Sequence, residues 1–160
     1  MSMLFMTPQG IGIDHKRKDG ILMSKVAVIF WSGTGNTEAM AQAVAEGAKA
    51  AGAEADLLTC TEVNGVEAYD AVALGCPAMG TEELEDSEFL PMLESIEAAL
   101  PGKKTALFGS YGWGDGEWMR SWEARCVEKG ITLAADSVTV NEAPDEDGLA
   151  ACKALGAALA

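Results

Sequence analysis

The stretch VAVIFWSGTGNTEAM, residues 26–40, decides the fold of this chain. Val26–Phe30 is a continuous apolar run, which is typical of a strand covered on both faces of a sheet. A polar, glycine-rich turn follows, and a helix is predicted from Thr37 to about Ala51, with an apolar stripe that begins at Met40. A buried strand that leads through a short turn into a helix is the opening unit of a doubly wound α/β protein.

The rest of the chain repeats this alternation of strand and helix. Further strands are predicted at 54–58, 71–75, 105–108 and 136–140, and further helices at 89–100, 117–129 and 146–159. Asp145 is predicted to cap the last helix. Five strands joined by helices predict a flavodoxin-like three-layer sandwich, in which a parallel sheet has the strand order 2-1-3-4-5.

Residues 1–22 are interpreted as an extension of a domain that spans residues 23–160. Their basic cluster, His15-Lys16-Arg17-Lys18, contrasts with the acidic remainder of the chain. The cluster follows a short apolar stretch, which is the reverse of the order in a signal peptide. The segment is therefore expected to be disordered or to result from a misassigned start, because Met23 opens the first strand-like run.

Composition excludes several classes of function. The formal net charge of −14 makes nucleic acid and anionic membranes poor partners, and a protein with a basic docking surface fits better. The cysteines at 60, 76, 126 and 152 form no CxxC pair, and the single histidine is His15, so no metal site is predicted. Reduced, mostly buried thiols are expected, as in a cytoplasmic protein.

The turn after the first strand is predicted to bind one terminal phosphate. Its residues combine two glycines, which let the backbone close around an anion, with three hydroxyls and the N-terminus of a helix, namely Ser32, Gly33, Thr34, Gly35, Asn36 and Thr37. No lysine or arginine lies between Val26 and Ala48, and both the Walker A and the GxGxxG patterns are absent. The alternative is an ordinary helix cap and turn.

Three segments together resemble the flavodoxin family, and most closely its short-chain members from anaerobic bacteria. These segments are FWSGTGNTEAMA from Phe30, LGCPAMGTEE from Leu74 and LFGSYGWGDG from Leu107. The resemblance implies a monomeric, low-potential one-electron carrier without enzymatic activity. It implies non-covalently bound FMN that cycles mainly between semiquinone and hydroquinone, with redox proteins as partners.

The resemblance also implies which residues contact the flavin. Trp113 is expected to stack on one face of the ring and Met79 to pack on the other, whereas Trp118 and Trp122 are expected in the core or on a helix surface. Glu82 is expected to accept a hydrogen bond from the flavin N3–H. The cofactor site beyond the phosphate loop is predicted to comprise Pro77, Ala78, Met79, Gly80, Thr81, Glu82, Ser110, Tyr111, Gly112, Trp113, Gly114 and Asp115.

The family pattern makes the Gly80–Thr81 peptide a redox switch, whose carbonyl turns toward the flavin N5 upon reduction. In a turn from Met79 to Glu82, type II requires a positive φ at Thr81, which a β-branched residue resists. Type II′ requires a positive φ at Gly80, which glycine tolerates. The sequence therefore predicts a bias toward the type II′ turn.

Six acidic residues lie in or beside the flavin loops, namely Glu82, Glu83, Glu85, Asp86, Asp115 and Glu117. Such carboxylates would disfavour an anionic reduced flavin, although they are equally compatible with an ordinary solvated face. An FMN-dependent NAD(P)H or quinone reductase of the same fold remains the alternative function. A signalling receiver without cofactor is less compatible, because Trp31-Ser32-Gly33 stands where receivers carry clustered acids.

Overall fold

The structure, a computed structural model, describes residues 24–80 and 82–160. The predictions for residues 1–22 and for Thr81 lie outside the described residues. Five strands are present: β1 (Lys25–Phe30), β2 (Glu54–Thr59), β3 (Ala71–Gly75), β4 (Lys104–Tyr111) and β5 (Val138–Asn141). Four α-helices alternate with them: α1 (Asn36–Ala50), α2 (Phe89–Ile96), α3 (Glu117–Glu128) and α4 (Glu146–Leu159).

The strands form one parallel sheet in the order β2-β1-β3-β4-β5, as predicted. Side chains alternate across the sheet. Ala27 and Ile29 of β1 pack with α2 and α3 on one face, and Val26, Val28 and Phe30 pack with α1 and α4 on the other. Because both faces are covered, β3 and the part of β1 after Lys25 are continuous apolar runs, which is the pattern that identified them in the sequence.

Three elements have an end that differs from the prediction by more than one residue. Helix α2 ends at Ile96 and tightens into a 3-10 turn, Glu97–Ala99, as is frequent at the C-terminus of a helix. Strand β4 continues three residues beyond Phe108, since Gly109–Tyr111 pairs with β5. Strand β5 correspondingly begins at Val138 rather than at Asp136. Asp145 caps α4, as predicted, by accepting the Gly148 N–H at 2.8 Å.

Helices α1 and α4 pack with their backbones in close contact. An ideal Cβ at Gly156 of α4 would collide with the Val44 carbonyl oxygen and lie 2.8 Å from the Ala48 nitrogen. Gly47 of α1 meets the Lys153 backbone in the same way. Two helices can approach this closely only where side chains are absent, so both glycines are structural requirements of this layer.

Candidate functional site

Three loops meet at the carboxyl edge of the sheet, where ligands bind in doubly wound proteins. They are the phosphate loop (residues 31–37), the second loop (76–83) and the third loop (110–116). Near the end of each strand, a backbone hydrogen bond joins the chain to the neighbouring strand. Trp31 N donates to Gly75 O at 3.0 Å, Cys76 N to Phe108 O at 3.1 Å, and Ala78 N to Ser110 O at 3.0 Å. The sheet itself therefore sets the relative positions of the three loops.

The phosphate loop presents hydroxyls and amides at the start of α1. Ser32 Oγ accepts the N–H groups of Gly35 and Glu38 at 3.1 and 3.2 Å, and Thr34 Oγ1 accepts that of Asn36 at 3.4 Å. Gly35 has a φ of 94°, which allows the chain to turn into the helix, and as the N-cap residue it has no side chain that could bind the amides of α1. Amides and hydroxyls gathered at a helix N-terminus fit a phosphate, so the residues present suit the predicted group.

A buried hydroxyl pair joins the phosphate loop to the third loop. Thr37 Oγ1 and Ser110 Oγ lie 3.3 Å apart, and the two residues are 1% and 4% exposed. Ser110 belongs to the last part of β4, which was not predicted to be strand, and this extension places Ser110 beside the phosphate loop. The structure thus brings together two predicted site residues that are 73 positions apart in sequence.

Replacing Thr37 with valine, which is isosteric but lacks the hydroxyl, is expected to raise the Kd for FMN about tenfold. The loss would leave Ser110 without its buried partner at the junction of two cofactor loops. Fluorescence titration of the apoprotein measures this effect. Thr37→Ser, which retains the hydroxyl, should bind nearly as well as the wild type, and equal affinities for all three proteins would contradict the expectation.

The second loop reverses direction in a turn that differs from the prediction. Glu82 N donates to Met79 O at 2.8 Å, and Met79 N donates to Glu83 O at 3.0 Å. Gly80 does not adopt a left-handed φ, so the predicted type II′ turn is wrong for this structure. Glu82, the last residue of this turn, has a left-handed φ of 55°.

Glu82 has an unsatisfied acceptor that faces the interior of the site. Its Oε1 is buried and has no hydrogen-bond partner, although buried carboxylate oxygens are normally paired. The carboxylate also lies against the third loop, since an ideal Cβ at Gly114 would be 2.5 Å from Oε1. An orphaned acceptor at this position fits the predicted bond from a flavin N3–H.

The third loop presents Trp113 to solvent. Its side chain is 62% exposed, which is unusual for a tryptophan, and it stands between Gly112 and Gly114. Trp118 and Trp122, in contrast, are core residues, and Trp118 Nε1 donates to Cys76 O at 3.0 Å and so fixes the start of the second loop. Trp113 is exposed, as predicted, and of the two locations left open for Trp118 and Trp122 the structure shows the core.

The other predicted cofactor residues lie around the same three loops. Tyr111 packs its ring against Trp118 at 5.6 Å, and Asp115 accepts from Arg120. Pro77, Ala78 and Met79 are half-buried at the start of the second loop, whereas Gly33, Thr34, Gly80 and Gly112 are exposed. The contacts of these residues with a cofactor remain predictions.

Sequence reasoning missed several residues that hold the loops. Arg120 donates to both the Asp115 backbone and carboxylate and to Glu117, at 2.8 to 3.0 Å, and so spans the end of the third loop. Trp31 Nε1 donates to Glu88 at 2.9 Å, which links the phosphate loop to the start of α2. The spacing of Arg120 three residues after Glu117 on a helix was a usable signal, whereas the Trp31–Glu88 contact depends on the tertiary fold.

Hydroxyls at the end of β2 were also missed. Thr59, the last residue of β2, pairs in register with Phe30 at the end of β1. Its Oγ1 lies 3.2 Å from Thr61 Oγ1. Polar residues directly after a strand that neighbours the phosphate loop were the signal available in the sequence.

Glu85 binds the start of α2 with a buried carboxylate. Burial disfavours its charge, but the Ser87 hydroxyl and the backbone N–H groups of Phe89, Glu88 and Ser87 bind the carboxylate and lower its pKa to about 2. The residue is 6% exposed and satisfies the first amides of α2. Because this carboxylate is buried, the interpretation as part of a solvated acidic face is wrong for Glu85, whereas an effect of its charge on the flavin stays a prediction.

The contribution of Glu85 to stability should depend on pH. Because its folded pKa is depressed, the stabilisation is present above the unfolded pKa of about 4.5 and is lost as the pH falls toward 2. We expect Glu85→Gln to lower the free energy of unfolding at pH 7 by about 2–3 kcal/mol, with the two proteins converging near pH 2. Urea unfolding of both proteins between pH 2 and pH 7 tests this expectation. A difference in their free energies of unfolding that does not change with pH would contradict it.

Within residues 24–80 and 82–160, no group of three or more histidine, cysteine or acidic side chains could hold a metal ion. All four cysteines are buried and free. Burial raises the pKa of Cys76 to about 12, and burial together with Glu88 and Glu85 raises that of Cys60 to about 11. These thiols are therefore protonated and unreactive at neutral pH. In the same described part of the chain, none of the helices has the length and apolarity to cross a membrane.

The fold and its three loops define a mononucleotide-binding protein of the doubly wound α/β class. Residues 28–156 match the flavodoxin family, and the chain belongs to that family. It is 48% identical to the flavodoxin of Megasphaera elsdenii over 137 residues, which cover 84% of this chain and 98% of that protein. It is 46% identical to the flavodoxin of Clostridium beijerinckii over 121 residues, which cover 74% and 88% of the two chains.

Solved structures agree with this assignment. The structure of two-electron reduced Megasphaera elsdenii flavodoxin matches with a TM-score of 0.76 at 47% identity, covering 84% of this chain and 97% of that one. The predicted resemblance to short-chain flavodoxins is confirmed, as is the fold. FMN is the cofactor of this family, and its members are electron-transfer proteins rather than enzymes, as predicted. Flavodoxins act with redox partners and are generally small monomers.

Proposed function

We propose that this chain is a low-potential one-electron carrier that holds FMN non-covalently and cycles it mainly between semiquinone and hydroquinone. The observation that carries the proposal is the pairing of an exposed indole, Trp113, with the unsatisfied buried acceptor of Glu82 on adjacent loops. A flavin would supply a flat ring for Trp113 to stack on and an N–H group for Glu82 Oε1 to accept.

The chain's own residues would hold the cofactor at both ends. Ser32, Thr34 and the first amides of α1 would bind the phosphate without a lysine or arginine. Trp113 and Met79 would cover the two faces of the ring and exclude water from them. Only an edge of the ring would then stay accessible, which favours outer-sphere electron transfer and disfavours a reductase that must bind a substrate on the flavin.

Charge around the loops supports a low potential. Glu82 and Glu83 lie within the second loop, and Asp86 follows it; Glu83 and Asp86 are exposed. Their negative charge would disfavour an anionic reduced ring and so make its electron easier to donate. The positive charge of Arg120 compensates the negative charges of Asp115 and Glu117. The second loop would therefore supply most of the negative potential at the flavin. The same acidic surface would attract redox partners with basic docking surfaces, and the free, buried thiols suit the cytoplasm.

An anaerobic titration of the FMN-loaded protein with dithionite tests the proposal. Visible absorbance monitors the reduction. We expect two separated one-electron steps, with the second at the lower potential. Incubation with NADPH alone should leave the flavin oxidised. Rapid bleaching by NADPH would instead support the alternative, an FMN-dependent reductase, and a single two-electron step would contradict the carrier.

A further inference from the structure

Two glutamates adopt an unusual backbone conformation at the edge of the site. Among residues 24–80 and 82–160, Glu82 and Glu142 are the two residues other than glycine with a left-handed φ, at 55° and 62°. This conformation is costly for a residue with a Cβ, and such strain concentrates at functional sites. Glu82 lies in the second loop, and Glu142 directly follows β5 at the same sheet edge. Their common location suggests a common task.

The carboxylates of these two residues flank Trp113. An ideal Cβ at Gly112 would lie 3.2 Å from Glu142 Oε2, and one at Gly114 would lie 2.5 Å from Glu82 Oε1. The two carboxylates thus lie beside the glycines on the two sides of the exposed indole. A Cβ at Gly112 would require Glu142 Oε2 to shift by a few tenths of an ångström, whereas Gly114 also has a φ of 86°, which favours glycine.

Glu142 is anchored to the strand that leads into the third loop. Its backbone N–H donates to the Tyr111 carbonyl at 2.8 Å, and Asn141 Nδ2 donates to the same oxygen at 3.3 Å. Tyr111 is the last residue of β4 and immediately precedes Gly112. The segment Asn141–Glu142 therefore holds the Tyr111 carbonyl by two hydrogen bonds, and it places the exposed Glu142 carboxylate beside Gly112.

We infer that Glu142 is a positioning residue for Trp113. Its left-handed φ directs the carboxylate onto Gly112 while its N–H holds Tyr111, and together these contacts fix the segment that presents the indole. The hydrogen bond from the Glu142 N–H to the Tyr111 carbonyl holds the backbone in this conformation. This inference rests on the proposed function, since it concerns the orientation of Trp113 toward FMN.

The test compares Glu142→Gly and Glu142→Gln. Glycine accepts a φ of 62° without strain, so the Tm of the E142G apoprotein should be unchanged or higher by about 2 °C. Its Kd for FMN should nevertheless rise about tenfold, because the indole is no longer held. The visible circular dichroism of the bound flavin should change with it. E142Q retains the shape of the side chain and should bind FMN like the wild type.

Glu46→Gln is the matched control, because it removes one negative charge from the surface of α1, where Glu46 pairs with Lys153 at 3.8 Å. Wild-type affinity in E142G would overturn the inference, as would a fall in its apoprotein Tm, which would make Glu142 an ordinary stabilising residue. Equal losses in E142Q and E142G would also overturn it, because they would point to charge rather than position. Failure of the wild type to bind FMN would remove the proposed function itself, before any variant is compared.

Discussion

Replacing Trp113 with alanine is expected to raise the Kd for FMN by about 10- to 100-fold, since stacking on an aromatic ring contributes roughly 1–3 kcal/mol. The indole is 62% exposed, so its removal costs the protein little core packing. The substitution should therefore weaken FMN binding and leave the apoprotein's free energy of unfolding within about 0.5 kcal/mol of the wild type. Fluorescence titration of the apoprotein with FMN, together with urea unfolding, measures both quantities.

Trp113→Phe is the control for this experiment, because it retains a flat ring and should recover most of the affinity. Trp122→Phe provides the contrast, since Trp122 is buried and packs edge-on against Phe89 at 5.5 Å. That variant should lose stability while its affinity for FMN stays near that of the wild type. If W113A bound FMN as tightly as the wild type, Trp113 would have no contact with the ring.

Replacing Gly156 with alanine is expected to lower the free energy of unfolding by about 3 kcal/mol and the Tm by about 6–12 °C. Overpacking is the cause. The new Cβ would meet the Val44 carbonyl oxygen and lie 2.9 Å from its carbon, so α1 and α4 would have to separate. Within a helix the same replacement ordinarily stabilises by about 1 kcal/mol. The sign of the change therefore distinguishes helix propensity from close packing.

Ala154→Gly is the matched control for Gly156→Ala. Ala154 is exposed on the same helix, so the reverse substitution there should cost only about 1 kcal/mol. Thermal unfolding of the two variants beside the wild type suffices for the comparison. A G156A protein as stable as the wild type, or more stable, would show that the two helices do not pack as closely as described.

Most of the fold could be predicted because both faces of the sheet are covered. Strand β3 and helix α4 have the predicted bounds, since a short apolar run and a capped helix are local signals. The extension of β4 through Tyr111 could not be predicted, because it depends on pairing with β5, which is a non-local contact. The same applies to the shortened α2, whose final turn packs its Glu97 against Arg125 of α3.

The candidate site shows the same division between local and tertiary information. Glycines, hydroxyls and an indole in loops after strands indicated where a phosphate and a ring would lie, and the structure brings those loops together. The turn type at Gly80 was predicted wrongly, because the positive φ was assigned by residue preference, whereas the fold puts it on Glu82. Glu85 was counted as a surface acid because nothing local reveals that its carboxylate turns inward to cap α2.

The central claim is that a cradle of hydroxyls and amides, without lysine or arginine, grips one phosphate while the neighbouring loops enclose the attached ring. Calorimetric titration of the apoprotein with FMN and, separately, with riboflavin tests it most directly. We predict one FMN per chain and roughly thousandfold weaker binding of riboflavin, because two or three charge-assisted hydrogen bonds are lost. No uptake of FMN, or equal affinity for riboflavin, would contradict the claim.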